Sequence, residues 1–150
     1  MTRKPVFLSY SRKDTRFRDL FVTHLGVIGR QEEYEAWTDQ SIKGGDRWRD
    51  AIDKGLREAE IVVLLVSANS LTSTFILDTE VAEAIRAAKR VYPILVRDCA
   101  WNRVPWLSES QMRPRPLKAL ALQSPAARDT AMTGIVNELD DLLTGGSAPN

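Results

Sequence analysis

The stretch that most constrains this chain is Ile61 to Val66, six consecutive apolar residues reading IVVLLV. Side chains on a strand alternate between its two faces, so a run without a polar member belongs to a strand covered on both sides. Such strands sit at the centre of parallel sheets, whose crossover connections are helices. The rest of the chain meets that demand. Val6 to Ser9, Tyr34 to Thr38 and Val91 to Val96 are further strand candidates, although Pro93 is unusual inside a strand.

Helical spacing fills the intervals. Phe17, Leu20, Phe21, His24, Leu25 and Ile28 recur with that period before Gly29, which suits a helix stop. Trp48, Ala51, Ile52, Leu56 and Ala59 mark a second helix. Leu77, Val81, Ala84, Ile85 and Ala88 mark a third, from about Thr74 to Arg90, with Ser73 as its N-cap. Met132, Ile135, Val136, Leu139 and Leu142 give the last helix, Asp129 to Leu143, and Leu117 to Leu122 is expected as a short edge strand. Alternating strands and helices of this kind predict an α/β fold. The sheet is expected to be five-stranded and parallel in the flavodoxin-like order 2-1-3-4-5, with helices on both faces.

Composition excludes several classes. The 150 residues suit one domain, and a net charge of +1 provides no broad basic field for nucleic acid. One cysteine, Cys99, and one histidine, His24, leave little for a metal site, so no metal and no cofactor are expected. No apolar run is long enough to span a bilayer, which predicts no membrane contact and a cytoplasmic setting. His24 lies on an apolar stripe and reads as a packed residue rather than a base for serine chemistry. Gly44-Gly45 lacks the spacing of a phosphate loop. Trp101 and Trp106 read as packing for the long proline-rich segment from Arg97 to Pro116.

In sheets of the predicted order, ligands bind beyond the carboxyl ends of strands 1 and 3, where the order reverses. Strand 1 ends at Ser9-Tyr10-Ser11 and strand 3 at Ser67-Ala68-Asn69, and the helix carrying Glu80 follows. On that helix Glu80 stands roughly 80 to 90° from the centre of the apolar stripe, aligned with Ile76. Spacing alone is met by an ordinary surface carboxylate. Position at the crevice points to Glu80 as the chemical centre.

Four segments, FLSYSRKD (Phe7 to Asp14), EAWTDQSIKGGDRW (Glu35 to Trp48), AEIVVLLVSANSLTSTFILDTE (Ala59 to Glu80) and VYPILVRDCAW (Val91 to Trp101), together resemble a TIR domain of bacterial type. The similarity spans residues 4–143, leaving 144–150 as a tail expected to lead to a sensor domain in a longer protein. The resemblance implies one of two functions. Some members cleave NAD+ at the nicotinamide–ribose bond, commonly as antiviral effectors switched on by self-assembly; others only bind further TIR domains as scaffolds. In the cleaving group the catalytic glutamate falls on Glu80. The resemblance also implies substrate contacts from Ser9, Tyr10 and Arg12, from the loop residues Asp39, Lys43 and Gly45, from Trp48, and from Ser73, Phe75 and Ile76. Ile76 stands where cleaving members often carry Trp or Cys, and Phe75 is the nearest ring. NAD+ is then the substrate, and other TIR domains are the expected partners.

Overall fold

The computed structural model describes residues 4–38, 54–72 and 90–145. Among them run β1 (Val6–Ser9), α1 (Thr15–Val27), β2 (Tyr34–Trp37), β3 (Ile61–Val66), α2 (Ala68–Leu71), β4 (Val91–Leu95), α3 (Pro105–Ser108) and α4 (Pro125–Leu143). Residues 54–58 are helical as well. The four strands form one parallel sheet in the order β2-β1-β3-β4. Val6 is in register with Tyr34 on one side and Ile61 on the other, and Val62 with Val91.

The IVVLLV run behaves as its composition demands. All six residues are buried, and they divide by parity between two cores. Ile61, Val63 and Leu65 join Phe17, Phe21 and Leu25 of α1 and Met132, Ile135, Val136 and Leu139 of α4. Val62, Leu64 and Val66 join Phe7, Leu56, Leu107 and Met112 on the other face. Trp101 and Trp106 pack against that second core, as expected of the proline-rich segment.

Gly29 ends α1 as its position predicts. Its φ is +75°, its N–H donates to the Gly26 carbonyl at 3.1 Å, and Arg30 N–H donates to the Leu25 carbonyl at 3.0 Å. Both bonds of a Schellman motif are thus present, with glycine at the left-handed position. α4 starts at Pro125, four residues before the expected Asp129. Ser124 caps it by accepting from Ala127 N–H, and proline occupies the first position, where no donor is needed. His24 is a packing residue that joins α1 to α4 through Asp129 at 3.1 Å. Arg30 adds a second tie to Asp140 at 2.8 Å.

The expected edge strand at Leu117 to Leu122 is not a strand. Leu120–Leu122 forms a 3-10 turn, and the outer edge of β4 meets a single parallel bridge, Ile94 to Arg113. The reason lies in the chain just beyond that bridge. Pro114 and Pro116 have no N–H, so a ladder cannot continue. The carbonyls of Leu120 and Ala121 accept instead from Arg128, at 2.7 and 3.1 Å. Pro93 is tolerated for a related reason. Its carbonyl accepts from Arg113 N–H on the outer edge, so its missing donor also faces outward and no bond to β3 is lost.

Gly55 sits where helical residues 54–58 cross the sheet. A Cβ there would meet the Phe7 ring and the Glu35 carboxylate at 3.0 Å each. Phe7 is buried and stacked on Trp37, with ring centroids 6.4 Å apart, so it has little room to yield. Gly55→Val is expected to destabilise the fold by about 1 to 3 kcal/mol through overpacking. Urea unfolding checks this; an unchanged midpoint would mean that the helix lifts off Phe7 freely.

Glu138 of α4 closes the β4 edge. It accepts from Arg113 Nε at 2.6 Å, from a second Arg113 nitrogen at 3.0 Å and from the Tyr92 hydroxyl at 2.5 Å. The Arg113 hydrogen bond is the main reason its carboxyl is held below the usual carboxylate range. A depressed carboxylate contributes stability above its unfolded pKa, and that contribution is lost as pH falls through the folded one. Wild type should therefore lose this support below about pH 4.5. Glu138→Gln should flatten that limb of the pH–stability curve and cost about 1 kcal/mol at neutral pH. Parallel curves for the two proteins would exclude the role. Tyr92 is shifted upward, mainly by burial and then by Glu138, so its phenol stays protonated and donates.

Candidate functional site

The sheet order reverses between β1 and β3, and in sheets of this kind ligands bind outside the carboxyl ends of the strands at such a reversal. β3 continues two residues past Leu64, the partner of Ser9, so Ser67 projects beyond the end of β1. The chain after β1 turns at once. Ser11 caps a short 3-10 turn, Arg12–Asp14, by accepting from Lys13 N–H at 3.2 Å. This turn brings Asp14 against the chain beyond β3 and β4.

Asp14 is wholly buried. One carboxylate oxygen accepts from Ser67 Oγ at 2.5 Å. The other accepts from Arg97 Nε at 2.8 Å and from Asn69 Nδ2 at 3.3 Å. One carboxylate thereby joins the chain ends beyond β1, β3 and β4. Burial of a charge is tolerable here because both oxygens are hydrogen-bonded and a guanidinium neutralises it. Ser67 serves twice, since its hydroxyl also accepts from Ser70 N–H while the Ser70 hydroxyl accepts from Ser67 N–H. The resulting capping box fixes the direction in which the chain leaves β3 toward the helix expected to carry Glu80.

The anticipated contact residues divide between described and undescribed chain. Ser9 is buried at the end of β1, and Arg12 is exposed on the turn above Asp14. Tyr10 is placed in the core on the α1 side. Its ring lies under Arg18, at 5.3 Å from the cation, and its hydroxyl accepts from Arg18 at 3.0 Å. Asp39, Lys43, Gly45, Trp48, Ser73, Phe75, Ile76 and Glu80 lie outside the described residues. Cys99 is half-buried, and burial raises its thiol pKa, so it does not offer a thiolate nucleophile.

Sequence reasoning passed over Asp14, Asn69 and Arg97. The Ser67-x-x-Ser70 spacing was a readable capping signal. Nothing local in RKD separates Asp14 from its solvated neighbours. Its burial comes from β3 and β4, which are distant in sequence. Among the described residues, no helix is long and apolar enough to cross a membrane.

Comparison with known proteins agrees with this architecture. The family model described as TIR domain matches residues 6–132. The uncharacterized protein y4lF of Sinorhizobium fredii (strain NBRC 101917 / NGR234) is 34% identical over 105 residues, which is 67% of this chain. The matched stretch covers 32% of that protein, so the chain spans well under half the length of its relative. A parallel sheet in the order 2-1-3-4 and a family match across most of the chain lead to one assignment: the chain belongs to the TIR domain family.

Proposed function

We propose that this TIR domain is an NAD+ nucleosidase that breaks the nicotinamide–ribose bond, with Glu80 as its catalytic carboxylate. The observation that supports the reading is the reversal of strand order between β1 and β3, the place where sheets of this kind bind ligands, with Arg12 exposed on the turn after β1. The family includes NAD-cleaving members, and the matched residues 6–132 take in Glu80.

The chemistry suits one carboxylate. The bond from ribose C1′ to the pyridinium nitrogen breaks with its electron pair passing to nitrogen, so nicotinamide leaves neutral and needs no general acid. The ribose becomes oxocarbenium-like, as in glycoside hydrolysis, and a preplaced carboxylate stabilises that charge. Water then adds at C1′ and releases a proton, giving ADP-ribose; attack by an internal nucleophile would give the cyclised product. Trp48 and the Ser9–Arg12 turn would hold the dinucleotide, with Arg12 and Lys43 toward its pyrophosphate.

Self-assembly through the loop around Asp39 to Asp46 would complete or order the site, and the setting would be bacterial antiviral defence. The test is nicotinamide release from NAD+ by purified protein over a range of concentrations. Release rising faster than linearly with protein is expected. No release from concentrated or artificially clustered protein would sink the enzyme reading and leave that of a TIR–TIR interaction module.

A further inference from the structure

Three guanidinium groups converge on one buried ring. Arg16 lies 5.0 Å from the centroid of Phe17, Arg97 5.3 Å and Arg128 5.7 Å. They come from the first turn of α1, the chain just beyond β4 and the first turn of α4. Phe17 belongs to the core between the sheet, α1 and α4. A single arginine would satisfy the ring's preference for a cation. Three like charges around it repel one another, and the helices make this worse. Neither α1 nor α4 has an acidic residue in its first turn, Asp14 being the N-cap of α1, and the positive end of each helix dipole lies beside an arginine.

Compensation on the protein side is small. Asp14 pairs with Arg97. Arg128 donates to the Leu120 and Ala121 carbonyls, which are neutral acceptors. Asp129, beside Arg128 in sequence, is engaged by His24, and Asp98 is exposed beside Arg97. Among the described residues neither of these aspartates pairs with any of the three arginines. Among the described residues one carboxylate therefore stands against three guanidiniums, an excess of two positive charges. Donor capacity is also left over. Arg97 uses Nε on Asp14 and keeps its terminal nitrogens, with its side chain 39% exposed, and Arg16 is exposed at the rim.

We infer that Arg16, Arg97 and Arg128 form a binding site for a phosphate dianion, supplied as free phosphate or as the phosphate monoester of a nucleotide. The charge excess matches a dianion, and planar guanidinium forks match phosphate oxygens in geometry. This site is separate from the proposal for Glu80 and would stand if NAD+ were not cleaved.

The test is calorimetric titration of the intact chain with inorganic phosphate at pH 7.5, at ionic strength held constant with chloride. Saturable binding at one site is expected. Arg16→Gln, an exposed change that leaves the Asp14 and Leu120 contacts intact, should weaken it on the order of tenfold, the scale of one charge-assisted contact. Circular dichroism of the variant should be unchanged. Arg128→Gln provides a second arm with loss of the same order. Binding should also weaken at pH 5, where a phosphate monoester, with its second pKa near about 6, is mostly the monoanion. Titration with AMP separates the sources: tighter binding than phosphate indicates a nucleotide, and equal or weaker binding indicates the free ion. A phosphate response no greater than that of chloride, or equal affinity in wild type and Arg16→Gln, would overturn the assignment.

Discussion

Glu80→Gln is expected to lower nicotinamide release by about 10²- to 10³-fold, the usual effect of removing one preorganised electrostatic group from a transition state. The substitution keeps the size of the side chain, removes the charge and replaces one acceptor oxygen by an NH2 donor. The loss should appear in kcat with little change in KM, because the oxocarbenium charge exists in the transition state and not in bound NAD+. Nicotinamide appearance followed by chromatography, with folding checked by circular dichroism, provides the measurement. Equal rates in the two proteins would move the chemistry away from Glu80. A matched fall in kcat/KM through KM alone would make the residue a binding group rather than the charge stabiliser.

Asp14→Ala should be strongly destabilising, with an expected cost of about 3 kcal/mol. The Ser67 hydroxyl would keep its bond from Ser70 but lose its buried acceptor, and Arg97 and Asn69 would each lose a partner. Arg97 is partly exposed and can recover some hydration, which keeps the estimate at the lower end for a broken buried pair. Asp14→Asn retains the shape and one acceptor oxygen, so it should fall between wild type and alanine. Urea unfolding of the three proteins checks the order. A double-mutant cycle with Ser67→Ala should show coupling, because the two side chains are in direct contact. A loss under about 1 kcal/mol for Asp14→Ala would mean that the crevice floor does not depend on this carboxylate.

Because Asp14 joins the ends of β1, β3 and β4, its loss should act on function as well as on stability. The Ser9–Arg12 segment and Ser67, the proposed walls of the substrate site, are held to each other through it. Under the proposed reaction, Asp14→Asn should raise KM for NAD+ more than it lowers kcat, because it shifts the walls rather than removing the charge stabiliser. This split distinguishes a positioning residue from Glu80 within one set of assays.

Much of the fold could be read directly from the chain because the signals are local. The unbroken IVVLLV run required a strand covered on both faces, and the structure divides it between two cores. Helical period located α1, and Gly29 located its end, because only glycine takes the left-handed angle without strain. The alternation of elements led to the order 2-1-3-4-5, of which the structure has 2-1-3-4. The resemblance in four segments identified the family that the comparison assigns. The start of α4 was misplaced even though Ser124-Pro125 carries a cap signal; the expected apolar stripe simply begins later.

What tertiary structure alone decided depends on partners distant in sequence. The segment Leu117 to Leu122 has strand-like composition, yet Pro114 and Pro116 break the ladder and Arg128 takes its carbonyls. Asp14 reads as one more charge in a polar turn until β3 and β4 bring Ser67, Asn69 and Arg97 to it. Arg16, Arg97 and Arg128 are spread over most of the chain and meet only around Phe17. The sequence by itself determined the central strand, the alternation and the family, since hydrophobic period and turn chemistry act over a few residues. Charge pairing at the crevice and at the Phe17 ring was decided by the fold, since an ion pair depends on distance in space, which period and spacing along a chain do not encode.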